Sequence, residues 1–192
     1  MMYIMRAEIL HMRTKTAFLI MVIAYSLASC GPAPKLKPSG PYTGTLRVSA
    51  IEKNIHELIN VERKKKGLSP LGLDARLSRI ARAHSSDMTS KGYFSHFSPE
   101  GKDFSHRYET GGYDCRVSRG ETIYLGAENI FNIRFTGSIK EEQVARDTVK
   151  GWMNSPGHRK NILTPHWGQE GIGVSIGRDR QMVVIYITQN FC

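Results

Sequence analysis

The sequence predicts an α+β protein, an α-β-α sandwich in which helices flank a small antiparallel sheet. Three observations predict it: three amphipathic helical patterns, a change to a two-residue period near the C-terminus, and an irregular stretch between them. The chain has 192 residues, enough for one domain with a proper core plus a leader.

The first helix opens at Ser49-Ala50-Ile51-Glu52, a capping-box pattern, and carries Ile51, Ile55, Leu58 and Ile59 on one face before Gly67 closes it. The second is capped by Asp74. It aligns Leu77, Ile80, Ala81, His84 and Met88 along one stripe and ends before Gly92. Residues 92–137 have no regular period and read as loops on a rigid scaffold, where sites tend to lie. A third long helix opens at Ser138 with Glu141, turns Ala145, Val149, Trp152 and Met153 inward, and stops at Pro156. Near the C-terminus Ile172, Val174 and Ile176 alternate, Gly177-Arg178-Asp179-Arg180 reads as a turn, and residues 182–188 form a second strand. That strand is apolar enough to need cover on both faces. Gly171-Ile172-Gly173 begins a strand rather than opening a helix, so it marks close packing, not a dinucleotide site.

Ahead of this domain, Arg13 and Lys15 precede the apolar run "AFLIMVIAYSLA", about a dozen residues against the roughly 20 that span a bilayer. Residues 1–29 read as an export signal. Leu27-Ala28-Ser29-Cys30-Gly31 resembles a bacterial lipobox, with Cys30 as the lipidation site. A cleaved signal with an incidental cysteine, and hence a secreted protein, is the alternative. Residues 30–45 are rich in Pro and Gly and form a tether, with ordered structure beginning near Leu46. With Cys30 lipidated, Cys115 and Cys192 remain, and an exported pair usually bonds. Two separate thiols are the other possibility.

The formal charge is +10, and removing the three Lys/Arg and one Glu ahead of Cys30 leaves +8. Such a surface suits anionic envelope polymers or lipids, and export argues against nucleic acid. The tightest basic run, Arg63-Lys64-Lys65-Lys66, sits where cations complement a helix C-terminus.

No HExxH, GxSxG or P-loop signature is present. A sparse polar set remains: His96 in "YFSHFSP", Glu128-Asn129 in "GAENIF", and His158 just past the Pro156-Gly157 corner. Two imidazoles and a carboxylate form a ligand set for zinc with an open fourth position. His84 lies on the apolar stripe of the second helix, so a core role competes with one on the cleft floor. Asn129 is expected to fasten its own loop, and Trp152 to be core. His56, His106 and His166 read as surface residues.

"LSPLGLDARLSRIARAHSSDM", "YFSHFSPEG", "GAENI", "WMNSPGHRKNIL", "GIGV" and "TQNF" occur in this order. Together they resemble bacterial members of the CAP superfamily, or SCP domain, whose relatives include cysteine-rich secretory, venom-antigen and plant pathogenesis-related proteins. The similarity covers about residues 48–191, so residues 46–192 are the expected CAP domain. The resemblance implies an α-β-α sandwich with a cleft of two histidines and two acidic residues, which binds a divalent metal in some members. It maps His96 and His158 onto the histidines and Glu128 onto one glutamate. The other glutamate falls at Ser155, and a hydroxyl supplies no negative charge. The expected protein is a membrane-tethered, non-enzymatic envelope component whose cleft binds a divalent metal such as zinc, or a small ligand. The alternative is a metal-dependent, protease-like hydrolase with Glu128 as base.

Overall fold

The computed structural model describes residues 46–192; the expected export signal, the expected lipidation site Cys30 and the expected tether lie outside them. Eleven elements follow in the described residues: α1 (Val48–Lys64), β1 (Gly72–Leu73), α2 (Ala75–Lys91), α3 (Phe104–Thr110), β2 (Val117–Arg119), β3 (Thr122–Tyr124), β4 (Ala127–Phe135), α4 (Glu141–Asn154), α5 (Pro156–Ile162), β5 (Gln169–Asp179) and β6 (Met182–Phe191). The main sheet has the order β1-β5-β6-β4, while β2 and β3 form a separate hairpin. The sheet is mixed rather than wholly antiparallel, because the short β1 pairs parallel with β5.

The core divides by strand parity, since alternate side chains leave opposite faces of a strand. Val183, Ile185 and Ile187 of β6 meet Ile51, Ile55 and Ile59 of α1 and Val144, Ala145, Val149 and Trp152 of α4. Val184 and Tyr186 face the other way and join Met88 of α2 and Ile130 of β4. Every β6 residue from Val183 to Phe191 is buried, so the strand is covered on both faces. Helix α2 lies close on β5 because Gly171 and Gly173 carry no side chains. A Cβ at Gly173 would stand 2.0 Å from the Arg82 backbone nitrogen, and one at Gly171 would stand 2.2 Å from the Leu77 carbonyl carbon.

Asp74 caps α2 by accepting from the Arg76 and Leu77 amides, and Gly92 closes it in the left-handed region at φ 67°. The other two expected caps do not form. Arg47 and Lys140 stand at the N-caps of α1 and α4 without side-chain bonds. Glu52 instead accepts from the Arg82 guanidinium and the Val174 amide, and Glu141 accepts from Arg47. Long-range partners outbid the local box. The hairpin turn also falls later than its sequence suggests: β5 runs on to Asp179, which pairs with Met182, and Arg180 takes φ 57°.

The stretch read as irregular holds α3, β2, β3 and the nine-residue β4. Among the described residues β4 is the sheet's outer strand, paired with β6 alone. Its Ile130 carbonyl accepts from Trp152 Nε1 at 3.1 Å, and its Glu128 carbonyl from Asn161 Nδ2 at 3.3 Å. Cys115 and Cys192 form a disulfide with Cα atoms 5.6 Å apart.

Two buried charges lie where a surface reading had placed them outside. Arg63 of the basic run is fully buried, and its guanidinium donates to the carbonyls of Ser69, Ile162, Thr164 and Trp167. His56 is half-buried, with Nδ1 2.6 Å from Oε1 of the fully buried Glu170. Gln189 donates to the other Glu170 oxygen at 2.6 Å. The bond to Glu170 raises the His56 pKa above its ordinary value, against the lowering effect of burial. A raised histidine stabilises fully below its unfolded pKa and loses that contribution as pH rises through the folded one. The stability difference between wild type and His56→Gln is therefore expected to be full below pH 6.5 and to shrink above it. Chemical denaturation of both proteins across that range checks this, and a difference that grows with pH would refute it.

Candidate functional site

The cleft forms at the outer edge of the sheet, where β4 brings together residues from both layers. Glu128 and Asn129 lie on this strand, not on a loop, and are both buried. Being adjacent on a strand, they point to opposite faces. Glu128 faces α2 and α3, and Asn129 faces α5.

On the first face, the Glu128 carboxylate meets two donors. His96 Nδ1 is 2.9 Å from Oε1, and Arg107 Nη2 is 2.7 Å from Oε2. A carboxylate accepts, so Nδ1 carries the proton and the lone pair is left on His96 Nε2. The His96 side chain is 44% exposed, and Nε2 therefore has access to a ligand. Arg107 also donates to the His96 carbonyl at 3.1 Å. Sequence reasoning missed Arg107. Its only local signal is that Asp103 caps α3 and sets Arg107 and Tyr108 on that helix.

His84 resolves as part of the floor. It is buried, and Nε2 donates to the Ser95 carbonyl at 3.1 Å. It lies 3.9 Å from Glu128 Oε1. Burial holds its pKa below the ordinary histidine value, so the ring stays neutral and fixes the segment that carries His96.

On the second face, Asn129 fastens a distant helix, not its own loop. Its amide donates to the His158 carbonyl at 3.2 Å and to Gln189 at 3.0 Å, while Asn161 donates to its oxygen at 2.9 Å. The Pro156 corner is a junction between two helices. Ser155 ends α4 and precedes α5, which has Pro156 at its start, a position that needs no amide donor. His158 thus sits in the first turn of α5. Its pKa lies below the ordinary value, first because of burial and then because His96 is close enough for its charge to oppose protonation. The Ser155 hydroxyl makes no capping bond.

His96 thus lies on the Glu128 face of β4 and His158 on the Asn129 side, near enough for the charge of one to act on the other. Among the described residues, no three side chains of His, Cys, Asp or Glu are grouped so as to hold an ion. The residues that could hold a metal are the two imidazoles, with Glu128 fixing the tautomer of His96.

A three-layer sandwich with a histidine–carboxylate cleft at the sheet edge defines a class of domain. The chain belongs to the cysteine-rich secretory protein (CAP) family, whose model matches residues 56–191. It is 41% identical over 147 residues to the Bacillus subtilis (strain 168) protein YkwD, covering 76% of this chain and 51% of that one. It is 36% identical over 140 residues to the membrane protein YlbC of the same organism, covering 73% of this chain and 34% of that one. The chain thus spans about half and a third of these relatives. A crystal structure of an extracellular protein containing an SCP domain from Bacillus anthracis str. Ames superposes with a TM-score of 0.58 at 29% identity, covering 78% of this chain and 44% of that one.

Proposed function

We propose that the protein is an exported, membrane-tethered component of the cell envelope whose cleft binds a divalent metal, zinc in the first instance, through His96 and His158. The observation that carries this reading is the Glu128–His96 pair, which points the Nδ1 proton at the carboxylate and leaves the lone pair of a partly exposed imidazole on Nε2. A bound metal would supply Lewis acidity. The chain itself contributes orientation: Glu128 and Arg107 hold His96, while Asn129 and Asn161 hold the start of α5. Binding rather than hydrolysis is the better reading. Each Glu128 oxygen is already engaged by His96 or Arg107, and Ser155 supplies no second carboxylate.

Zinc titration by calorimetry tests this. His96→Ala and His158→Ala are each expected to abolish most of the affinity, and Glu128→Gln to weaken it roughly 10- to 100-fold, as for other outer-shell partners. Protonating either imidazole removes a donor, so affinity should fall as pH is lowered. Equal binding by wild type and the His96/His158 double variant would end the assignment.

Tethering rests on the Leu27–Cys30 lipobox pattern and on the likeness to a relative named a membrane protein. Among the described residues no helix is long and apolar enough to cross a membrane. On detergent phase separation, wild type is expected in the detergent phase and Cys30→Ala in the aqueous one. If both partition alike, the lipid anchor is wrong.

A further inference from the structure

Outside the histidine cleft, α2 and α3 flank an open surface pocket of about 290 Å³. Arg76, Arg79, Ile80 and Ala83 line it from α2, and Arg107 and Thr110 from α3. The spacing explains the wall: positions 76, 79, 80 and 83 recur on one side of a helix, as do 107 and 110. At one end the helices touch, because Gly111 lacks a Cβ that would stand 2.6 Å from the Ile80 side chain.

The wall carries three guanidinium groups and no carboxylate. Arg107 is neutralised by Glu128 on its cleft side. Arg76 uses one N–H on the Gly112 carbonyl at 2.8 Å, which positions it without cancelling its charge. The Arg79 side chain has no hydrogen bond or ion pair among the described residues. The Thr110 hydroxyl is spent on the His106 carbonyl. The two uncompensated charges, Arg76 and Arg79, repel across the pocket, and an anion between them turns that repulsion into attraction. Guanidinium forks match the oxygens of phosphate, which offers enough acceptors to engage more than one arginine at once. Ile80 and Ala83 add an apolar wall against which the stem of a phosphate ester can rest.

We infer that this pocket binds a phosphate group, free or esterified, through Arg76 and Arg79, with the Arg107 side chain forming part of its wall. The site does not depend on the metal reading of the cleft. Two probes, inorganic phosphate and the soluble short-chain lipid dihexanoyl phosphatidic acid, are titrated into the full chain at constant ionic strength. Calorimetry gives affinity, and backbone amide NMR gives location. At least one probe is expected to saturate at one site, with shifts concentrated on residues 76–83 and 107–111. The Arg76→Ala/Arg79→Ala double variant is expected to lose roughly 10- to 100-fold in affinity, the worth of one to two charge-assisted bonds. It should keep its zinc affinity and melting temperature, since both arginines are exposed. Tighter binding of the lipid would identify a headgroup as the source, and equal binding would identify the free anion; either supports the site. Shifts that scatter over the basic surface without saturating, or an affinity unchanged in the double variant, would overturn it.

Discussion

Arg63→Met is expected to destabilise the protein by about 3 kcal/mol or more, the cost of leaving several buried carbonyls without a donor at roughly 1–3 kcal/mol each. Arg63 is fully buried, and its guanidinium is shared among the carbonyls of Ser69, Ile162, Thr164 and Trp167. Two of these lie at the end of α5, so one side chain of α1 fixes the helix that carries His158. Methionine fills much of the volume but donates nothing. For a domain of this size the loss corresponds to a fall of roughly 6–12 °C in melting temperature. Arg63→Lys should recover only part of it, because an ammonium has three donors and no planar fork. Thermal and urea denaturation of the three proteins measure the effect. A methionine variant within about 1 kcal/mol of wild type would show that Arg63 is not the clamp the geometry describes.

Replacing Cys115 and Cys192 by serine is expected to cost about 4 kcal/mol in the loop-entropy model, because the bond closes a loop with a sequence separation of 77. The end of the chain has other attachments. The Cys192 carbonyl accepts from the Gly168 and Gln169 amides at 2.8 and 2.7 Å, and its own amide donates to the Gln169 carbonyl at 2.9 Å. The variant should therefore keep its fold while its unfolding midpoint drops. Free-thiol labelling of the native protein should find neither cysteine. Identical midpoints for wild type and variant would remove the bond from any account of stability.

The three long helices were legible because their buried faces repeat: Ile51, Ile55 and Ile59, or Leu77, Ile80, Ala81, His84 and Met88, recur at helical spacing, whereas the seven-residue α3 and α5 were not. The C-terminal hairpin was legible for the same reason at period two. Strand β4 was not, because Glu128 and Asn129 put two consecutive polar residues where alternation should show, and both are buried. Their partners, Arg107, His96, Gln189 and Asn161, lie from 21 to 60 positions away. The same distance hid Arg63 and the His56–Glu170 pair, since a charged residue looks like surface until its acceptors are known. The cleft histidines and Glu128 were found through family motifs, not periodicity. What the motifs did not supply was their division of labour, with Glu128 bound to a ring nitrogen of His96 and Arg107 behind both.

The outer strand of a sheet is a template on which a second chain can pair, and proteins that leave one bare tend to aggregate. Here two outward carbonyls of β4 are occupied, that of Ile130 by the Trp152 indole and that of Glu128 by the Asn161 amide. The elements that present His158 are therefore also the shield against intermolecular strand addition. A substitution that loosens α5 exposes the Glu128 carbonyl on that edge at the moment it disturbs the cleft. Its earliest symptom in concentrated solution would be self-association, with impaired ligand binding following from the same opened edge.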